Sequence, residues 1–241
     1  MKQNDINNDY SGLQELLNID EALTNYNKKL VKIFYEELNI KEEACNVMDF
    51  GAGIGTLSQL FYHQFNIKPI CVEIDTTNIQ YLKRKKFQVF KNLDLVKCKF
   101  DYIFSSNVLE HIQDDLKTIK LLSKMLKKNG KILFFVPAHK FLFSQLDISV
   151  GHYRRYAKKE LVEKCSSAGL KILKCNYFDS IGLLISYIMK YLKYDPKNGL
   201  GNIKSLKIYD KFIFPVSMIV DEIGFDKIIG KNLIIICSKD E

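Results

Sequence analysis

The stretch VMDFGAGIGTLSQLF, residues 47–61, constrains this chain more than any other. Apolar residues run into glycines at 51, 53 and 55, and a helix-like pattern follows. Glycine lets a backbone turn sharply and approach a ligand closely. In an open α/β sheet the ligand lies beyond the carboxyl ends of the strands, so this turn is the place to look for a site. The spacing is G-x-G-x-G. It departs from the G-x-G-x-x-G of dinucleotide folds, and no Lys-Ser/Thr pair of a phosphate-binding loop follows it. A nicotinamide-binding oxidoreductase is therefore disfavoured.

The rest of the chain supplies the rhythm such a turn requires. An apolar helical period covers Leu13 to Leu38 and predicts one or two helices ahead of the first strand, 46–50. Strands are expected at 68–75, 87–90, 100–106, 131–137, 171–178 and 232–239, with helices between them. The helix over 113–128 is expected to end at the left-handed glycine Gly130. Residues 131–137, KILFFVP, are apolar on both faces, as a central buried strand requires. The alternation predicts an α/β, Rossmann-like, doubly wound sheet of seven mostly parallel strands. Residues 1–9 are expected to be a disordered tail ahead of a single domain, 10–241. Within that domain, N-terminal helices occupy 10–44 and a helical insertion occupies 180–231.

Composition narrows the setting. The six cysteines are scattered, with no CxxC and no metal-ligand spacing, so free thiols in a reducing cytoplasm and no metal are expected. No apolar run is long enough to span a bilayer, and the polar N-terminus lacks the apolar core of a signal peptide. The net charge of +8 comes from lysines spread along the whole chain, which reads as a solvated surface.

Glu73 stands 18 residues after Gly55, at the end of the second strand, where a carboxylate can accept both hydroxyls of an adenosine ribose. Asp75 is on the same side and is also placed to cap the next helix. The ordered set VMDFGAGIGTLSQLF, VEID, FDYIFSSNVLEHI and LLKKNGKILFFVPA resembles the class I S-adenosylmethionine-dependent methyltransferases over about residues 23–178. NYNKKL, LEHIQDDL, VPAH and LDISVGHYRRY narrow the likeness to a bacterial, type 11/12-like subgroup. The resemblance implies S-adenosylmethionine as cofactor and biosynthetic methyl transfer as activity. It implies that Gly51, Ala52, Gly53 and Gly55 take the methionine part, Asp49 its amino group and Glu73 the ribose. Asp94 would meet the adenine, and Tyr26, Ile74, Asn107 and Val108 would lie beside the cofactor.

Methyl transfer is an in-line displacement, in which the protein holds a nucleophile about 3 Å from the methyl carbon and excludes water. A base is needed only where the acceptor must lose a proton early. His111, after the fourth strand, is one candidate; its other use is packing at a helix start. In GHYRRY, 151–156, His152 and Arg154 or Arg155 are candidates to hold an acidic or hydroxylated acceptor, since guanidinium forks bind carboxylates. The alternative there is an arginine paired with Asp147. The apolar, aromatic 180–231 insertion is expected to cap an acceptor pocket, with a dimer face or a peripheral membrane patch as its other uses. The expected acceptor is a small molecule, a sugar or a lipid-linked compound with an O- or N-nucleophile. A nucleic acid is not expected, because SSNVLEH stands where an NPPY-type motif would. The rival readings are a nucleic-acid methyltransferase, which SSNVLEH disfavours, a protein methyltransferase, and cofactor binding without catalysis.

Overall fold

The computed structural model describes residues 12–41, 45–191 and 203–240. The expected tail at 1–9 lies outside the described residues, as do 42–44 and 192–202. Seven strands form one sheet: β1 (Val47–Phe50), β2 (Ile70–Val72), β3 (Val89–Phe90), β4 (Phe100–Ser106), β5 (Leu126–Pro137), β6 (Lys171–Phe178) and β7 (Asn232–Ser238). Their order is β3-β2-β1-β4-β5-β7-β6, parallel except for β7, which runs antiparallel between β5 and β6. The order reverses between β1 and β4, so their carboxyl ends open a crevice there.

Strand alternation builds two cores, one on each face. Met48, Ile103, Phe134 and Ile235 face one way, against Ile119 and Leu122 and against Leu161 and Cys165. Those partners lie on α5 (Asp115–Met125) and α7 (Lys158–Ser167), respectively. Val47, Phe104, Leu133 and Phe135 face the other way, against Leu30, Phe34 and Leu38, Phe61, and Phe214. These come from α2 (Thr24–Leu38), α3 (Thr56–Phe65) and α10 (Phe214–Glu222). Burying both faces explains the unbroken apolar run of β5.

Among the described residues, two helices precede β1: α1 (Leu13–Ala22) and α2. α4 (Thr76–Arg84) opens on Asp75, whose carboxylate accepts the Asn78 backbone N–H at 2.8 Å. Gly130 corrects an expectation. α5 stops at Met125, Leu126 is already extended, and the left-handed residue is Asn129, at φ 61°. A Cβ on Gly130 would stand 2.9 Å from the Lys127 carbonyl oxygen and 3.0 Å from that of Phe100, so this glycine permits a close strand approach and does not end a helix.

The long connection after β5 holds α6 (Gln145–Ser149) and closes with a bridge between Ala138 and Tyr156. The described part of the insertion comprises α8 (Ser180–Tyr191), α9 (Ile203–Ile208), a π-helical turn at Tyr209–Ile213, and α10. Asp210 in that turn accepts the backbone N–H groups of Asn25 and Tyr26 at 2.9 and 2.8 Å. It thereby satisfies the first turn of α2 from another element. α1 packs against α9, and together they form a roof over the carboxyl ends of the strands.

Candidate active site

β1 delivers the chain into a turn in which Gly51, Gly53 and Gly55 all hold positive φ, at 78°, 54° and 83°. Gly51 also needs its missing side chain for space, because a Cβ there would overlap the methyl groups of Val108. Glu73 leaves β2 and folds back: one carboxylate oxygen accepts the Gly53 N–H at 2.7 Å, the other the Asp75 N–H at 2.8 Å. Each oxygen keeps a lone pair for a further donor. Asp49, buried at the end of β1, accepts the Ser58 hydroxyl at 2.7 Å. Burial pushes its carboxyl up to about 7, opposed by the Ser58 bond and helped by the charge of Glu73.

Most of the expected cofactor residues line one cavity of about 1900 Å³: Tyr26, Asp49, Gly51, Ala52, Gly53, Glu73, Ile74, Asn107 and Val108. Gly55 does not line it and instead opens α3. Asp94 does not line it either. It sits exposed in the short turn Leu93–Leu95, on the link between β3 and β4. Tyr26 is buried, its hydroxyl accepting from Asn232 at 3.0 Å.

The far side of the cavity is polar at one point. The Asp147 carboxylate takes the His152 Nδ1–H at 2.9 Å and the Arg155 Nε–H at 2.8 Å. Since a carboxylate only accepts, His152 donates from Nδ1, and its Nε2 stands 3.9 Å from Glu110. Glu110 is fully buried, and burial pushes its carboxyl up to about 8, opposed by a backbone bond and by Arg155. The His111 and His152 rings meet edge to face with centroids 4.6 Å apart. Burial first, then the neighbouring His152, holds His111 down to about 4, against a bond to the Gly151 backbone carbonyl. Glu110, His111, His152, Arg155 and Lys231 all line the cavity.

Arg154 is a correction. Its guanidinium turns away from the cavity, to Asp115 at 3.0 Å and to the Gln113 carbonyl at 2.7 Å. Its neighbour Arg155 is the arginine that reaches the site, and one of its terminal nitrogens, Nη1, is buried without a hydrogen-bond partner among the described residues. The cavity also has walls that periodicity did not single out as site residues. Leu16 and Ile19 of α1, Ile185 and Met189 of α8, and Leu206 of α9 are apolar side chains whose spacing fits a core-facing stripe equally well.

A glycine turn, a ribose-type acid and a buried acid at the end of β1 thus share one cavity with a histidine–carboxylate pair. The profile of the methyltransferase domain family matches residues 19–174. The chain belongs to this family. The methyltransferase is 24% identical over 205 residues to malonyl-[acyl-carrier protein] O-methyltransferase 1 of Ilyobacter polytropus, covering 78% of this chain and 75% of that one. Its fold is similar to that of an S-adenosylmethionine-dependent methyltransferase from Archaeoglobus fulgidus, with TM-score 0.57, 18% identity and coverage of 88% and 94%. It is also similar to phosphoethanolamine N-methyltransferase 2 of Haemonchus contortus in complex with S-adenosyl-L-methionine, with TM-score 0.59, 13% identity and coverage of 88% and 53%.

The methyltransferase therefore uses S-adenosylmethionine, and its residues fit that cofactor. Gly51 and Gly53 bring bare backbone to the cavity wall, Asp49 puts a buried acid on the same wall, and Glu73 keeps acceptor capacity for hydroxyls. When bound, the cofactor supplies a methyl group made electrophilic by its sulfonium. The chain's own part is to hold the two reactants in line and to keep water out. No described helix is long and apolar enough to cross a membrane.

Proposed function

We propose that this methyltransferase modifies an elongated, largely apolar acceptor at a hydroxyl or carboxyl oxygen, as a biosynthetic enzyme of the cytoplasm. The carrying observation is one cavity of about 1900 Å³, lined by the cofactor turn and by apolar side chains from α1, α8 and α9. Pockets for one drug-sized ligand measure roughly 300–1,000 Å³, so this one has room for the cofactor and a second molecule. Between the two lies the polar point made by Glu110, His111, His152 and Arg155. The unpartnered Nη1 of Arg155 supports an oxygen-bearing head group. The named acceptor of the Ilyobacter polytropus relative, a malonyl group on an acyl carrier protein, has the same combination of a carboxyl and a thioester-linked chain. Free cysteines throughout the described residues support a reducing compartment.

The 180–231 insertion acts as the cap of this pocket. Phe212, Val216, Ile219 and Ile223 on its outer side are exposed, beside Lys207 and Lys211. That face supports collection of a lipid-linked acceptor from an anionic membrane surface.

The test is transfer of label from methyl-labelled cofactor. Acyl-thioester carboxylic acids and hydroxylated lipids are compared with short hydroxy acids, RNA and protein. Label is expected in the long-chain oxygen acceptors, with kcat/KM rising with apolar length. Label appearing only in RNA, protein or short soluble acids would overturn the reading.

A further inference from the structure

Glu110 poses a problem that cofactor binding does not solve. Both of its carboxylate oxygens are buried, and neither has a hydrogen-bond partner on another described residue. Buried polar atoms left without partners are costly in either protonation state, and a ligand in the cavity would complete them. The side chain lines the cavity and faces two imidazoles. One donor atom from each of Glu110, His111 and His152 lies within 4.8 Å of the other two. Donors bound to one ion at about 2.1 Å stand roughly 3–4 Å apart, so small side-chain rotations bring these three together.

The surroundings match what metal ligands receive from a protein. Asp147 accepts the Nδ1–H of His152 at 2.9 Å, which fixes the ring and leaves Nε2 as the free donor on the Glu110 side. This carboxylate–histidine pairing orients ligands and raises their basicity. The charges agree as well. Glu110 and Asp147 face one cation on the same wall, Arg155, already paired to Asp147 at 2.8 Å. Lys231 comes from the adjoining strand end, where the charge of Asp179 opposes its own.

We propose that Glu110, His111 and His152 bind one divalent transition-metal ion, of the Zn²⁺, Mn²⁺, Fe²⁺ or Co²⁺ class that accepts imidazole and carboxylate together. Its open positions face the cavity, where an oxygen of the acceptor or a water completes the shell. That last assignment rests on the reading of an oxygen acceptor; the binding of the ion does not.

The experiment uses the full chain, stripped with chelator and titrated with Co²⁺ and Zn²⁺ by calorimetry and by Co²⁺ visible absorption. One ion per chain is expected. Glu110→Gln and His152→Ala should each weaken binding at least tenfold. Asp147→Asn should weaken it by about 10- to 100-fold. His63→Ala, an exposed histidine on α3, should leave it unchanged. Affinity for S-adenosylmethionine, measured on each variant, shows that it is folded, because the cofactor residues lie elsewhere. No stoichiometric uptake by the parent, or equal uptake by the Glu110 and His152 variants, overturns the site. A parent chain that binds the cofactor but takes up no stoichiometric metal overturns the ion alone and leaves the methyltransferase standing. Metal binding of the expected pattern with label reaching only RNA or protein upholds the ion and overturns the acceptor reading.

Discussion

His152 Nδ1 lies 2.9 Å from Asp147 Oδ1, and that one carboxylate also caps the start of α6. Its other oxygen accepts the Ser144 backbone N–H at 2.9 Å, so a capping interaction holds the residue that aims the histidine. Asp147→Asn should uncouple the two roles of the site. Methyl transfer falls at least tenfold in kcat/KM, while the dissociation constant for S-adenosylmethionine stays within twofold. Loss of a buried charged bond also lowers unfolding stability by about 1–3 kcal/mol. Initial rates, calorimetry and thermal melts on one preparation separate these effects, and an unchanged rate would leave Asp147 as a cap only.

Asp49 makes cofactor affinity depend on pH. Its carboxyl is pushed up to about 7 by burial, above an ordinary value of 3.8. The folded apoprotein therefore holds a proton that the unfolded chain has released. Stability from this group is full below about pH 4 and is lost as pH rises to 7, on the order of 4 kcal/mol. A cofactor ammonium favours the ionised form. Affinity should then rise about tenfold per unit up to pH 7, level off, and decline as the amino group of the cofactor itself deprotonates near 8. Asp49→Asn should flatten the acid limb, weaken binding at pH 7.5 and raise the melting temperature of the apoprotein there. Calorimetric titrations across pH 5.5–8.5 check the sign, and a flat profile for the parent removes Asp49 from the amino subsite.

The cofactor end was legible because it is local. A strand, a glycine turn and an acid at the end of the next strand are read along one stretch of chain, and the structure brings Asp49, Gly51, Gly53 and Glu73 to one cavity. The polar point opposite is assembled across long separations, Glu110 with His152, and no spacing rule reaches that far. Which arginine faces it depends on how the loop is pinned. The bridge from Ala138 to Tyr156 and the Tyr156 hydroxyl on Asp115, at 2.7 Å, turn Arg155 inward and Arg154 outward. Asp94 and Gly130 depend on neighbouring parts of the fold in a similar way. Asp94 stands exposed on the link between β3 and β4, and the glycine serves a neighbouring strand, not its own helix.

Gly51→Ala tests the turn itself. The new methyl group would overlap Val108 and would also sit at φ 78°, where side chains are strained. Strain of this kind costs of order 1–3 kcal/mol. Cofactor affinity should fall by more than tenfold. The double variant Gly51→Ala/Val108→Ala removes the overlap but not the strain, so it should recover part of the affinity and not all. Full recovery would show that space alone, and not backbone conformation, requires glycine at this position.

Arg154→Ala should separate stability from chemistry on the outer side of the same loop. Asp115 is buried, yet its carboxyl lies below the ordinary range. Burial acts to raise it, but the Lys164 and Tyr156 bonds and the charges of Lys164 and Arg154 outweigh that. A carboxylate held down in the folded state contributes stability that is present above its unfolded value near 4 and is lost as pH falls through the folded one. Removing Arg154 leaves the Lys164 and Tyr156 bonds at 2.6 and 2.7 Å, so the loss is partial, about 1–2 kcal/mol. The parent should gain stability relative to Arg154→Ala as pH rises from 3 to 6, and cofactor affinity and kcat should stay within about twofold. Arg155→Ala, which removes the cavity-facing guanidinium, should instead raise KM for the acceptor at least tenfold. Equal kinetic damage from both variants would return Arg154 to the site.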